Sequence, residues 1–210
     1  DQTTSAQTTS APATTTIASD SSSALLSDKT INVTTDLMKV QISTVGGDVR
    51  DIQLLKYNDY NDASKPYQLM LNENGRVFIA QTGLVSQDAN LQLPTHKTIF
   101  RADKTDYSLS PDQQTLTIHL SATAESGGIV VMKTFTFKRD SYVVDVSYQI
   151  MNNTTQPLQS VSAYWRFLRD EKAPDGETKF VHTFTGPVYY NDDAKFNAIK
   201  FDNLAKNNVD

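Results

Sequence analysis

"KTFTFKRDSYVVDVSYQIMNN", residues 133–153, alternates apolar and polar side chains along most of its length. Such a period fits a strand with one face on a core and the other in water, because successive side chains leave the backbone on opposite sides. Val131, Phe135 and Phe137 share one parity, and Tyr142, Val144, Val146, Tyr148 and Ile150 share the other, beyond the polar "KRDS". The pattern predicts a β-hairpin whose short connection resets the register so that both apolar rows occupy one face.

Similar short runs continue on both sides. Towards the N-terminus, Ile31 and Val33, then Met38, Val40 and Ile42, then Val49, Ile52 and Leu54 give three successive strands. Between them "VGGDV", Val45–Val49, places two glycines where a tight turn needs positive φ. It is no phosphate cradle: no P-loop lysine, third glycine or helical pattern follows. Further strands are expected in "YQLML", "RVFIAQTGLV", "KTIFRA", "YSLS", "TLTIHLSAT", "GIVVMKTFTFK", "LQSVSAYWRFLR", "KFVHTFTGPVYY" and "KFNAIKFDNLA". They are punctuated by "NENG", "SPDQ", "ESGG" and "NNTTQP". No long segment has helical periodicity, and no repeat of fixed length appears. The expected fold is all-β, an antiparallel sandwich or barrel-like fold rather than an α/β one, occupying residues 29–210.

Residues 1–28 have a different composition, dominated by Thr, Ser, Ala and Gln. Too few large apolar groups are present to offset the entropy of ordering them, so a disordered linker is expected, with a glycosylated stalk as the sharper alternative. The chain starts at Asp1 rather than methionine, which reads as a piece of something longer. No apolar run approaches the roughly 20 residues that cross a bilayer.

The 210 residues carry a net charge of −5 and no basic cluster, which argues against a nucleic-acid surface. The absence of cysteine removes disulfides, thiolate metal sites and cysteine nucleophiles together. His96, His119 and His182 are scattered without metal-ligand spacing. His119 reads as a solvent-facing strand residue, and His182, among aromatics, as a hydrogen-bonded one. Carboxylates gather in turns such as "DKTD", "RDEKAPDGE" and "NDD", and no nucleophile elbow occurs. No catalytic, cofactor-binding or metal-ligating residue is assigned. "AYWRF" at 163–167 and "GPVYY" at 186–190 put rings on both strand parities. The plain reading packs them between two sheets; the sharper one makes Trp165, Phe167, Tyr189 and Tyr190 a partner-binding surface.

Taken together, "VTTDLMKVQISTVGGDVRDIQLLKY", "KPYQLM", "VFIAQTGLV", "MKTFTFKRDSYVVDVSYQIMNNTTQPL" and "FVHTFTGPVYYNDDAKFNAIKFDNLA" resemble, in that order, the large periplasmic domain of the YidC family of bacterial membrane insertases. The resemblance runs from about residue 30 to the end and implies a β-supersandwich similar to galactose mutarotases. It also implies a non-catalytic role on the periplasmic face of the inner membrane of a Gram-negative bacterium, assisting membrane-protein insertion and folding. The implied partners are Sec translocon components, particularly SecDF, and nascent membrane-protein segments. In that family the insertase activity resides in a membrane core absent from these residues, so no catalytic position carries over. The domain usually continues beyond "FDNLAKNNVD", so a C-terminally truncated sandwich with an exposed edge or face is expected. A carbohydrate-binding or mutarotase-like sandwich, using Trp165, Tyr189 or Tyr190 with His182, is the alternative, and a structural spacer a third.

Overall fold

The computed structural model describes residues 29–73, 75–172, 184–193 and 195–204. In chain order the strands are β1 (Thr30–Thr34), β2 (Met38–Ser43), β3 (Asp48–Asn58), β4 (Pro66–Glu73), β5 (Arg76–Ser86), β6 (Arg101–Ala102) and β7 (Asp106–Ser108). There follow β8 (Thr115–Thr123), β9 (Ile129–Lys138), β10 (Val144–Asn152), β11 (Val161–Arg169), β12 (Val188–Asn191) and β13 (Lys195–Ala198), then a helical turn, α1 (Phe201–Leu204). The expected linker and His182 lie outside the described residues.

The hairpin forms as its alternation demands. β9 and β10 pair antiparallel with Phe137 opposite Val144, Phe135 opposite Val146, Lys133 opposite Tyr148 and Val131 opposite Ile150. Cross-strand partners share a face, so both apolar rows meet one core. Tyr142 departs from the expectation: β10 begins at Val144, and Tyr142 lies in the connection against Tyr57, ring centroids 6.0 Å apart.

β8 and β6 extend the hairpin into a four-stranded sheet, ordered β10-β9-β8-β6. A seven-stranded sheet runs β11-β5-β4-β3-β2-β1-β7. Among the described residues every pairing of strands is antiparallel except β1 with β7, where Val33 lies beside Tyr107. Ile31, Val33, Met38, Val40 and Ile42 of the larger sheet join Ile118, Leu120, Phe135 and Phe137 of the smaller one in a single cluster, with Phe100 between. Burying each such side chain contributes about 1.5–3 kcal/mol, so this shared layer is what makes the two sheets a sandwich. Leu84, Leu93, Ala124, Ile129 and Val131 form a second cluster.

Two elements differ from the sequence pattern. Between β2 and β3 the register steps from Gln41 opposite Asp51 to Ile42 opposite Val49, a bulge that takes in Arg50. One extra residue changes the phase, which lets both Val49 and Ile52 serve the core although their parities differ. "KFNAIKFDNLA" is not one strand: β13 is short, pairs with β12, and gives way to α1.

Candidate functional site

The turn between β2 and β3 is built from Gly46 and Gly47, with φ of 75° and 60°. A left-handed pair leaves both carbonyls free to point the same way, and Lys133 reaches them from the facing sheet. Its Nζ donates to Gly46 O at 2.9 Å and to Gly47 O at 2.7 Å. The side chain is 0% exposed. Phe135, Tyr148 and Phe100 present their rings at 5.2, 5.7 and 5.8 Å from the ammonium. A Cβ on Gly47 would lie 3.1 Å from Lys133 Cδ and Nζ, so the turn is fitted to the lysine as well as to its own φ.

Asp48, also fully buried, completes the cluster. Its Oδ2 accepts from Gln81 Nε2 at 2.7 Å and stands 3.6 Å from Arg50 Nη2, while Oδ1 has no hydrogen-bond partner among the described residues. Burial pushes the Asp48 carboxyl up from the ordinary range, opposed by Gln81, Lys133 and Arg50. Burial likewise pushes the Lys133 ammonium down, opposed by Asp48. Tyr148, opposite Lys133, is held neutral: burial drives its phenol up to about 12, and its Oη pairs with Thr82 Oγ1 at 2.6 Å.

From Ile79 to Leu84, β5 is buried on both faces. Its edge neighbour β11 places Trp165 opposite Thr82 and Phe167 opposite Ala80. Partners share a face, and Thr82 bonds across to Tyr148 of the four-stranded sheet, so the two rings lie on the core-facing side. Nothing among the described residues covers them: Trp165 is 59% and Phe167 60% exposed. Their centroids are 6.0 Å apart, and Phe167 leans on Phe78 at 6.3 Å, over which Arg169 stacks at 5.4 Å. Asp170 pins the end of the strand, accepting from Val77 N at 2.6 Å and from Arg76 Nε at 3.2 Å.

The plain core reading of "AYWRF" therefore fails for Trp165 and Phe167 among the described residues: the four-stranded sheet packs over the Val161 end of β11 and leaves these two rings uncovered. Tyr164 and Arg166 take the opposite face. There Tyr164 Oη meets His96 Nδ1 at 2.6 Å and Arg166 Nη1 meets His96 Nε2 at 3.3 Å. Gly83, opposite Tyr164, makes room: a Cβ there would sit 2.5 Å from the phenol oxygen. Tyr189 is half-buried and Tyr190 is 68% exposed on β12, with Phe196 opposite Tyr190. No ring contact joins this pair to Trp165 or Phe167 among the described residues.

His119 is exposed on β8 and meets Thr134 Oγ1 at 3.0 Å, as a solvent-facing strand residue should. Sequence reasoning passed over Lys133 and Asp48. The signal was present in the parity of Lys133, which falls in the same row as Val131, Phe135 and Phe137.

The sequence profile of the YidC periplasmic domain matches residues 30–210. The chain belongs to that family. It is 52% identical over 186 residues to a membrane protein insertase YidC of Laribacter hongkongensis, covering 89% of this chain and 33% of the relative. The insertases YidC of Nitrosomonas europaea and Nitrosospira multiformis are 40% and 39% identical, over 89% and 85% of this chain and 30% of each relative. The chain thus spans about a third of the length of the curated relatives it matches. The all-β architecture reached from alternation agrees with this membership. Among the described residues of this YidC periplasmic domain, no helix is long and apolar enough to cross a membrane, and no cluster of His and carboxylates has metal-holding geometry.

Proposed function

We propose that this chain is a non-catalytic domain on the periplasmic side of a YidC-type insertase, assisting insertion and folding of inner-membrane proteins by docking a partner. The observation that carries this reading is the uncovered pair Trp165 and Phe167, on the core-facing side of an edge strand and flanked by Phe78 and Arg169. Aromatic and arginine side chains in this arrangement are the usual anchors of protein interfaces. Components of the Sec translocon, SecDF in particular, are the expected partner, with nascent membrane-protein segments as further clients. Tyr189 and Tyr190 are proposed as a second contact.

The test is capture of SecDF from solubilised membranes by the full-length insertase carrying Trp165→Ala and Phe167→Ala. Loss of capture with unchanged circular dichroism supports the reading, and undiminished capture overturns it. The carbohydrate alternative rests on His182, which lies outside the described residues.

A further inference from the structure

Trp165 is bracketed by residues that are held from behind. Arg166 can only donate, so His96 Nε2 accepts from it and His96 Nδ1–H is the donor to Tyr164 Oη. The His96 backbone N–H donates to the same phenol oxygen at 3.0 Å. His96 belongs to a turn in which Thr95 N donates to Thr98 Oγ1 at 3.0 Å, and the carbonyl of Thr98 accepts from Gly46 N at 2.7 Å. Gly46 and Gly47 in turn give their carbonyls to Lys133. A continuous path of hydrogen bonds and one short turn therefore joins the buried ammonium to both neighbours of Trp165.

We propose that Lys133 is the positioning residue of the Trp165–Phe167 face: its ammonium fixes the Gly46–Gly47 turn, the turn fixes the His96 loop, and the loop fixes β11 through Tyr164 and Arg166. The physical basis is the left-handed glycine pair. Two adjacent carbonyls directed into an apolar layer have no other described side-chain donor, so an apolar group in place of the ammonium releases them. The turn is then free to abandon its positive φ, and with it the Gly46–Thr98 bond. The importance of this relay rests on the reading of the Trp165 face as a docking surface, but its existence does not.

The sequence supplies two tools. Trp165 is the single tryptophan, and there is no cysteine. Emission maximum and acrylamide quenching of the whole 210-residue chain therefore report this face alone. Lys133→Met is expected to shift both while far-UV circular dichroism is retained. Tyr164→Phe combined with Arg166→Leu, which cuts both links of the relay to β11, is expected to shift them in the same direction, and adding Lys133→Met to that pair no further than the larger of the two shifts. Lys133→Cys, alkylated in denaturant with 2-bromoethylamine and refolded, restores an amine of lysine-like length and should return wild-type values. Ile118→Val, a trim in the same core away from the path, should leave Trp165 unchanged. Wild-type fluorescence in folded Lys133→Met, or an equal shift in Ile118→Val, would overturn the proposal. Should Lys133→Met not fold, unaltered fluorescence in the Tyr164→Phe, Arg166→Leu variant overturns it instead. Failure here leaves the docking reading intact, because partner capture is a separate measurement.

Discussion

Lys133, in the middle of a strand of the smaller sheet, donates to the carbonyl of Gly47 in a turn of the larger one at 2.7 Å. An ammonium in the middle of an apolar sandwich stands only if its donors are satisfied and a counter-charge is near. Here two carbonyls, three ring faces and Asp48 meet those requirements together. The polar tie adds to the register that apolar packing sets: a one-residue slip of β9 would turn Lys133 out into water together with Val131, Phe135 and Phe137, and would break its two bonds across the sheets.

Removing one partner should be worse than removing both. Lys133→Met leaves two buried carbonyls without their donor and takes one of its two cations from Asp48, which keeps Arg50 and Gln81, and we expect a loss of about 3–5 kcal/mol. Adding Asp48→Asn should recover part of that loss, because the amide carries no charge to desolvate, the recovery being limited by Arg50, which loses its counter-charge. Urea unfolding of the two single variants and the double variant measures this directly. A double variant as unstable as the sum of its parents would show that the pair is not coupled.

The same pair predicts the shape of stability against pH. Asp48 is raised above its ordinary 3.8 by burial, so just above that pH the folded state keeps a proton that the unfolded chain has lost, and stability falls as pH rises. Lys133 is lowered below its ordinary 10.5 by burial, so approaching that pH from below the folded state has already lost a proton, and stability rises with pH. The two slopes oppose each other and place a trough between them, near neutrality. Urea titrations at acid, neutral and alkaline pH should find this trough in the wild type and a flatter profile in the Lys133→Met, Asp48→Asn double variant. Equal profiles would remove the pair from any role in pH dependence.

How far the sequence reached follows from which interactions are local. The pairing of β9 with β10 is legible because both apolar rows and their connection lie within one hairpin. Tyr142 misleads because a ring at the mouth of a turn continues the alternation without continuing the strand. The bulge at Arg50 is invisible to a period-two pattern, which shows Val49 and Ile52 on opposite parities without saying where the phase changes. Lys133 is legible as an oddity in an apolar row, but its acceptor lies 87 positions away at Gly46, beyond any local pattern. Exposure of Trp165 is likewise a property of a second sheet that packs over Val161 at the start of β11 and stops short of Trp165, and nothing in "AYWRF" records where another sheet ends.

Glycine 47 offers a test of fit as distinct from backbone freedom. Gly47 and Gly127 both have positive φ, 60° and 75°, but a Cβ on Gly127 meets nothing within 4 Å whereas one on Gly47 meets Lys133 at 3.1 Å. Gly127→Ala should therefore lose only the left-handed penalty, about 1–2 kcal/mol. Gly47→Ala should lose that and a further overpacking contribution of about 1–3 kcal/mol. Adding Gly47→Ala to the Lys133→Met background should shrink the difference, since Nζ is gone and the remaining side chain is more pliable. A constant difference in thermal unfolding between the two backgrounds would mean that the turn does not feel the lysine.

Adjacent residues on β11 should behave oppositely, and this bears most directly on the docking face. Tyr164 loses no ring volume on change to phenylalanine, yet the bonds of His96 Nδ1–H and the His96 backbone N–H to its hydroxyl are lost. The loss of these two part-buried hydrogen bonds should destabilise the domain by about 1–3 kcal/mol. Trp165→Ala deletes the largest side chain in the chain, but one that is mostly in water with Phe167 as its nearest ring. Its effect on folding should stay within about 0.5 kcal/mol, as for surface changes generally. Urea midpoints of the two variants, read by circular dichroism because Trp165 is the only indole, separate the cases. A large loss for Trp165→Ala would return that ring to the core and withdraw it from any interface. A small one, beside a large loss for Tyr164→Phe, makes β11 a strand anchored by one face so that the other can be offered to a partner.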